Sequence, residues 1–292
     1  MRPVHTTKPV VVKTSRGLVE YAATGEGPAV LALHGAMGGF DQSLLLARAA
    51  GPPGFRYLAV SRPGYLGTAL SSGRTPEEQA DLCAALLDEL GIRSAAAIAV
   101  SGGGPCALQF ASRHSRRCWA LVMVSACSAT LDGRVPFMFQ VLKFVARWPA
   151  VIGFLSKRAE SDPERAARRS IRDAAVRLRT VNDPEAGPML AELRTSSFDR
   201  MRLRLEGTGN DIRQTRSDMN FHLNEITVPV LVIHGTDDLL VPYASNAVAL
   251  AEQVRGAELL AIEGGEHVCL FTHLAEIRGR VSRFLGAHAN RA

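Results

Sequence analysis

Nowhere in these 292 residues does an apolar run approach the roughly 20 consecutive residues a helix needs to span a bilayer. The amino terminus has no apolar core ending in a small-residue cleavage site, so residues 1–13 do not read as a secretory signal. Together these absences predict a soluble, cytoplasmic protein with no membrane partner. Cysteine is scarce and odd in number: Cys83, Cys106, Cys118, Cys127 and Cys269. No pair has C-x-x-C spacing, which argues against a zinc site or a disulfide framework. Each lies in an apolar stretch, where a free thiol packs as a small hydrophobe. Internal repeats and low-complexity linkers are missing as well.

A basic domain is also missing, although the net charge is +6. Residues 143–216 hold sixteen Lys/Arg against ten Asp/Glu, a surplus that accounts for the whole excess and leaves the rest neutral. These charges are interleaved with acids and apolar residues at helical spacing, as in Glu164-Arg165-Ala166-Ala167-Arg168-Arg169. That pattern predicts a solvated helix face; a nucleic-acid footprint would be a concentrated basic stripe.

What is present is 47% apolar and 21% charged sequence, ordinary for a globular chain with a substantial core. Residues 10–13 and 18–22 flank a Ser15-Arg16-Gly17 turn and predict a hairpin. Strands are expected at 29–33, 56–60, 95–100, 119–125, 228–234 and 258–262. Helices are expected from Thr75 to about Leu90, at 103–114, at 243–254 and at about 274–285. Thr75, Pro76 and Glu78 form a capping-box start, and Gly91 a stop. Alternating strands and helices imply a mostly parallel sheet covered on both faces. The rhythm breaks between about Ser128 and Asn224, which is rich in Arg and Leu and interrupted by prolines. One sheet domain, 1–127 with 225–292, carrying a helical insertion at 128–224, accounts for the pattern.

A serine hydroxyl becomes a nucleophile near neutral pH only with an imidazole to take its proton, an acid to orient that imidazole and donors for the oxyanion. In an open α/β sheet such groups collect beyond the carboxyl ends of the strands. The pattern small-x-Ser-x-Gly occurs twice, at Ser101 and Ser71. Only Ser101 follows an expected strand and precedes an expected helix, the setting of a nucleophile elbow. Asp237 and Asp238 follow the strand at 228–234, and either could cap a turn. His267 follows a strand and a glycine turn, whereas His273 falls inside the expected last helix. For the oxyanion, Gly102 offers the N–H behind the nucleophile. The glycine-rich loop His34-Gly35-Ala36-Met37-Gly38-Gly39 offers a second, from Ala36 rather than Met37. His34 itself reads as a buried loop brace.

Read together, these segments resemble the α/β-hydrolase superfamily over nearly the whole chain. His34-Gly35 is similar to its oxyanion loop, Ser101 to its elbow and Gly264-Gly265-Glu266-His267 to its base segment. Gly235-Thr236-Asp237-Asp238 with Pro242 is similar to its acid segment, which registers the acid on Asp238. The resemblance implies the α/β-hydrolase fold, with an all-helical cap inserted after the sixth strand. Two departures stand out. The loop after the fourth strand reads Ser61-Arg62-Pro63-Gly64, where the family often has Asp. Ala99 and Gly102 leave an unusually small, open turn at the elbow. Members with an aspartate nucleophile form alkyl-enzyme esters; a serine implies acyl transfer. The expected reaction is hydrolysis of small or medium apolar acyl or aryl esters by Ser101, His267 and Asp238. Lactonase, carbon–carbon bond hydrolase and perhydrolase activities would use the same residues, and a ligand receptor on this scaffold is a distant alternative. No metal or organic cofactor is implied, the partner is a small-molecule ester, and oligomeric state is left open. Met37, Phe137, Phe139 and Trp148 are candidates for lining the substrate pocket.

Overall fold

The computed structural model describes residues 8–131, 137–217, 219 and 221–289. The chain opens with a hairpin, β1 (Val10–Thr14) and β2 (Gly17–Thr24), and then alternates. In order follow β3 (Ala29–Leu33), α1 (Phe40–Ala50), β4 (Arg56–Val60), α2 (Pro76–Glu89), β5 (Ala95–Val100), α3 (Gly104–Arg113) and β6 (Cys118–Val124). Between β6 and β7 the described residues are helical. They form α4 (Phe137–Val145), α5 (Pro149–Ser161), α6 (Pro163–Ala167), α7 (Ala174–Asn182), α8 (Ala186–Phe198) and α9 (Leu205–Gln214). The chain ends with β7 (Val230–Gly235), α10 (Ala249–Gln253), β8 (Glu258–Ile262), α11 (Cys269–Thr272) and α12 (Leu274–His288).

The eight strands form one sheet in the order β1-β2-β4-β3-β5-β6-β7-β8, antiparallel at β1–β2 and β2–β4 and parallel elsewhere. The central strands are apolar throughout because helices cover both faces. Strand periodicity divides their side chains between two cores. Leu31, Leu33, Ala97, Ala99 and Val232 join α2 and α3, while Val30, Ala32, Ile98, Val122 and Ile233 join α1 and α12. Strand order reverses between β3 and β5, so a crevice opens past their carboxyl ends, where α/β sheets bind ligands. The loop after β3 and the turn after β5 both lie there.

Thr75 caps α2 in the expected box with Glu78. Three details differ from the sequence expectations. The helix expected from Tyr243 starts as a π turn, Ala244–Val248, whose buried Asn246 turns its side-chain oxygen to the N–H groups of Ser128 and Ala129. His273 is not inside a helix but joins α11 to α12, with Nδ1 2.9 Å from the Thr272 hydroxyl. The interleaved charges of 143–216 are not all solvated: Arg177, Arg204 and Asp211 are buried. Arg204 pairs with Asp41 on α1, and Asp211 pairs with Arg62 in the loop after β4. Among the described residues no helix is long and apolar enough to cross a membrane.

Candidate active site

Ser101 occupies the tight turn between β5 and α3 with φ of 52°, a left-handed conformation that costs a non-glycine residue about 1–3 kcal/mol. Its surroundings hold it there. Ser101 N donates to the Ser125 carbonyl at 3.2 Å, and Cys127 N donates to the Ser101 carbonyl at 3.0 Å. Gly104 runs so close to the Cys127 carbonyl that any side chain would strike it. A Cβ on Gly35 would lie 2.8 Å from that of Ser101. Small residues are thus required on both flanks of the serine.

His267 lies past β8 and Asp238 past β7, and the two loops meet over Ser101. The Ser101 hydroxyl is 3.1 Å from His267 Nε2, and His267 Nδ1 is 2.8 Å from Asp238 Oδ2. Asp238 Oδ1 accepts from the N–H groups of Leu240 and Val241, each at 2.9 Å. Burial alone would raise the Asp238 carboxyl, but hydrogen bonds from His234, His267 and the backbone outweigh it and hold the group well below its ordinary range. An ionised Asp238 can only accept, so His267 Nδ1 carries the hydrogen and Nε2 is free to take the serine proton. Asp237, the neighbouring carboxylate, turns outward with its side chain 57% exposed.

The Ala36 N–H approaches the elbow at Gly102. Ala36 N has no hydrogen-bond partner among the described residues. It lies 3.6 Å from where a Cβ of Gly102 would stand. Met37 N, the alternative donor, is taken by the Thr208 hydroxyl at 2.9 Å. His34 is fully buried, its Nδ1 2.6 Å from the Gly35 carbonyl, and Arg62 N donates to its Nε2. Burial and the nearby Arg62 charge push its pKa well below the ordinary value, so it braces the loop as a neutral ring.

The family model described as the alpha/beta hydrolase fold matches residues 28–274. The chain belongs to the α/β-hydrolase family. It is 27% identical over 259 residues to an uncharacterized hydrolase of Bacillus subtilis, covering 86% of this chain and 89% of that one. A pimeloyl-[acyl-carrier protein] methyl ester esterase of Aromatoleum aromaticum is 29% identical over 231 residues, covering 76% of this chain and 84% of its own. Among solved structures, an alpha/beta hydrolase fold protein from Nakamurella multipartita superposes with a TM-score of 0.81 at 32% identity, covering 97% of this chain and all of that one.

In this α/β-hydrolase two cavities flank Ser101. One, of about 320 Å³, is apolar and is lined by His267, Met37, Leu45, Leu193 and Phe271 among others. The other, of about 430 Å³, is lined by Gly102, Asp211, Thr215, Arg216 and Leu239 among others. Ala36, Ser101 and Leu240 border both.

Of the residues expected from the sequence, Ser101, His267, Asp238, Ala36, Gly102 and Met37 come together. Two others do not reach the cavities. Phe139 packs against Gly209 of α9, and Trp148 stands 45% exposed with its ring edge-on to Phe144. The side chain of Phe137 lies outside the described residues. Ser71 sits exposed in a short surface turn, Leu70–Ser72.

The residue that sequence reasoning missed is Asp211. It accepts from Arg62 Nη1 at 3.0 Å, Arg62 Nη2 at 2.5 Å and the Tyr65 hydroxyl at 2.6 Å. Its Oδ2 stands 3.0 Å from where a Cβ of Gly102 would be. The elbow is therefore not open, as its small residues suggested: a carboxylate from α9 fills the space. The available signal was Arg62, a cation where the family often has Asp, which calls for a carboxylate elsewhere.

Proposed function

We propose that this hydrolase cleaves carboxylic esters through an acyl-enzyme formed on Ser101. The observation that carries the reading is the unbroken hydrogen-bonded line from the Ser101 hydroxyl through His267 to Asp238. His267 Nε2 takes the hydroxyl proton as Ser101 Oγ attacks the ester carbonyl. Ala36 N and Gly102 N are the donors for the oxyanion, while Asp238 orients the ring and stabilises the imidazolium. The tetrahedral intermediate collapses, the ester C–O bond breaks and His267 returns the proton to the departing alcohol. Water, deprotonated by His267, then attacks the acyl-enzyme; the acyl–Oγ bond breaks, His267 returns the proton to Ser101 Oγ and the acid is released. Residues 128–224 are taken as the cap that roofs the site, fastened to the core through α9 rather than free to swing.

The test is multiple-turnover hydrolysis of a short p-nitrophenyl ester. The wild type should turn over above background, and Ser101→Ala should lose about 10⁶-fold in kcat. Ser71→Ala should match the wild type. Asp238→Asn should cost far more than Asp237→Asn. A fully active Ser101→Ala variant overturns the assignment.

A further inference from the structure

Both cavities beside Ser101 are mainly apolar, but only the second carries charged side chains, Asp211 and Arg216, and that difference assigns the two halves of an ester. His267 must hand its proton to the leaving alcohol, so the alcohol departs on the side that His267 lines. That side is the apolar cavity. The acyl part then lies in the cavity bordered by Gly102, Asp211 and Arg216.

Within that acyl cavity the charges do not balance. Asp211 is already saturated by both guanidinium nitrogens of Arg62 and by Tyr65, so its charge is neutralised where it stands. Among the described residues Arg216 has no such partner. Its Nε is buried without a hydrogen bond, its Nη1 donates only to the Ile212 carbonyl at 3.3 Å, and among the described residues it forms no ion pair. A guanidinium that lines a cavity and whose Nη2 has no hydrogen bond among the described residues is a donor for a carboxylate.

We propose that Arg216 is an anion subsite, and that the enzyme takes esters whose acyl chain carries a free carboxylate: half-esters of short dicarboxylic acids with an apolar alcohol. The proposal rests on the reading of Ser101 as the acylated nucleophile, and it adds the substrate class. Arg216 holds the distal carboxylate, Asp211 with Arg62 forms an electroneutral wall, and the alcohol fills the apolar side.

The test compares monobenzyl glutarate with benzyl hexanoate, followed by benzyl alcohol release. The wild type should prefer the half-ester by at least about tenfold in kcat/KM, the worth of one charge-assisted hydrogen bond. Arg216→Ala should abolish that preference through KM, and Arg216→Lys should keep part of it. Because the readout is a ratio within each variant, a general loss of folded enzyme cancels. No preference in the wild type, or a preference that persists in Arg216→Ala, overturns the subsite. Calorimetry on Ser101→Ala separates this reading from the hydrolytic one. If that variant binds monobenzyl glutarate only with Arg216 present, yet the wild type hydrolyses neither ester, the subsite stands and ester hydrolysis falls. If benzyl hexanoate is hydrolysed through Ser101 and no half-ester preference or binding is seen, hydrolysis stands and the subsite falls.

Discussion

Helix α5 is thirteen residues long and buries none of them, whereas the ten-residue α9 buries Gly207, Thr208, Asn210 and Asp211. Both lie between β6 and β7, yet the more apolar one is the less buried. Val151 and Phe154 of α5 face outward, as do Phe144 and Trp148 just before it. Helix α9 is held by polar groups. Arg204, immediately before it, donates to Asp41, and Thr208 accepts from Met37 N. Asn210 donates to the Arg74 carbonyl, and Asp211 accepts from Arg62 and Tyr65. Apolar contact is non-directional and tolerates sliding, whereas a buried ion pair is satisfied in one arrangement only. Of the two helices, the one that reaches the elbow at Gly102 is thus the one whose position is specified by charge.

The sharpest way to break this comparison is Asp211→Ala. It strands Arg62, only 2% exposed, without its counter-ion. Removing one partner of a buried pair costs about 3–5 kcal/mol, against a fraction of that for truncating an exposed side chain of α5. Urea unfolding should show the loss, and combining Asp211→Ala with Arg62→Met should recover much of it, because the stranded charge is gone. A loss under about 1 kcal/mol would mean that the pair does not fasten α9.

The same contrast explains what could be read from the sequence. Strands β3, β4, β5 and β8 fall on the expected residues, as does the start of α2, because apolar runs and capping boxes are local signals. Asp238 was separable from Asp237 only by registering on Gly235. In the structure the two neighbours point oppositely, one toward His267 and one toward solvent. Asp211 was beyond local reading. Its partner Arg62 is 149 positions away, and charges at helical spacing look solvated until the tertiary contact is known. Phe139 and Trp148 failed the other way: aromatic residues in an insertion suggest a pocket, but side-chain type does not say which face of a helix meets the site.

Alanine at a glycine gives a paired and smaller test. In α9 a Cβ at Gly207 would strike the Tyr65 ring, with no room to yield beside the Arg62–Asp211 pair. Overpacking of this kind costs about 1–3 kcal/mol. In α5 a Cβ at Gly153 meets nothing within 4 Å. There Gly→Ala should stabilise by about 0.5–1 kcal/mol through helix propensity. The two changes should move the thermal midpoint in opposite directions. If both stabilise, α9 is as loosely held as α5.

Phe154→Ser should have the smallest effect. The side chain is 62% exposed, so removing it deletes little buried area, and the change in stability should stay within about 0.5 kcal/mol. Trp148→Ala should cost somewhat more, because its ring meets Phe144 edge-on at 4.6 Å, a contact worth about 0.5–1.5 kcal/mol when well packed. Neither should change KM for a small ester, since neither residue lines the cavities at Ser101. A raised KM in Trp148→Ala would show that α4 and α5 close onto the substrate, and the contrast with α9 would then hold for the free enzyme alone.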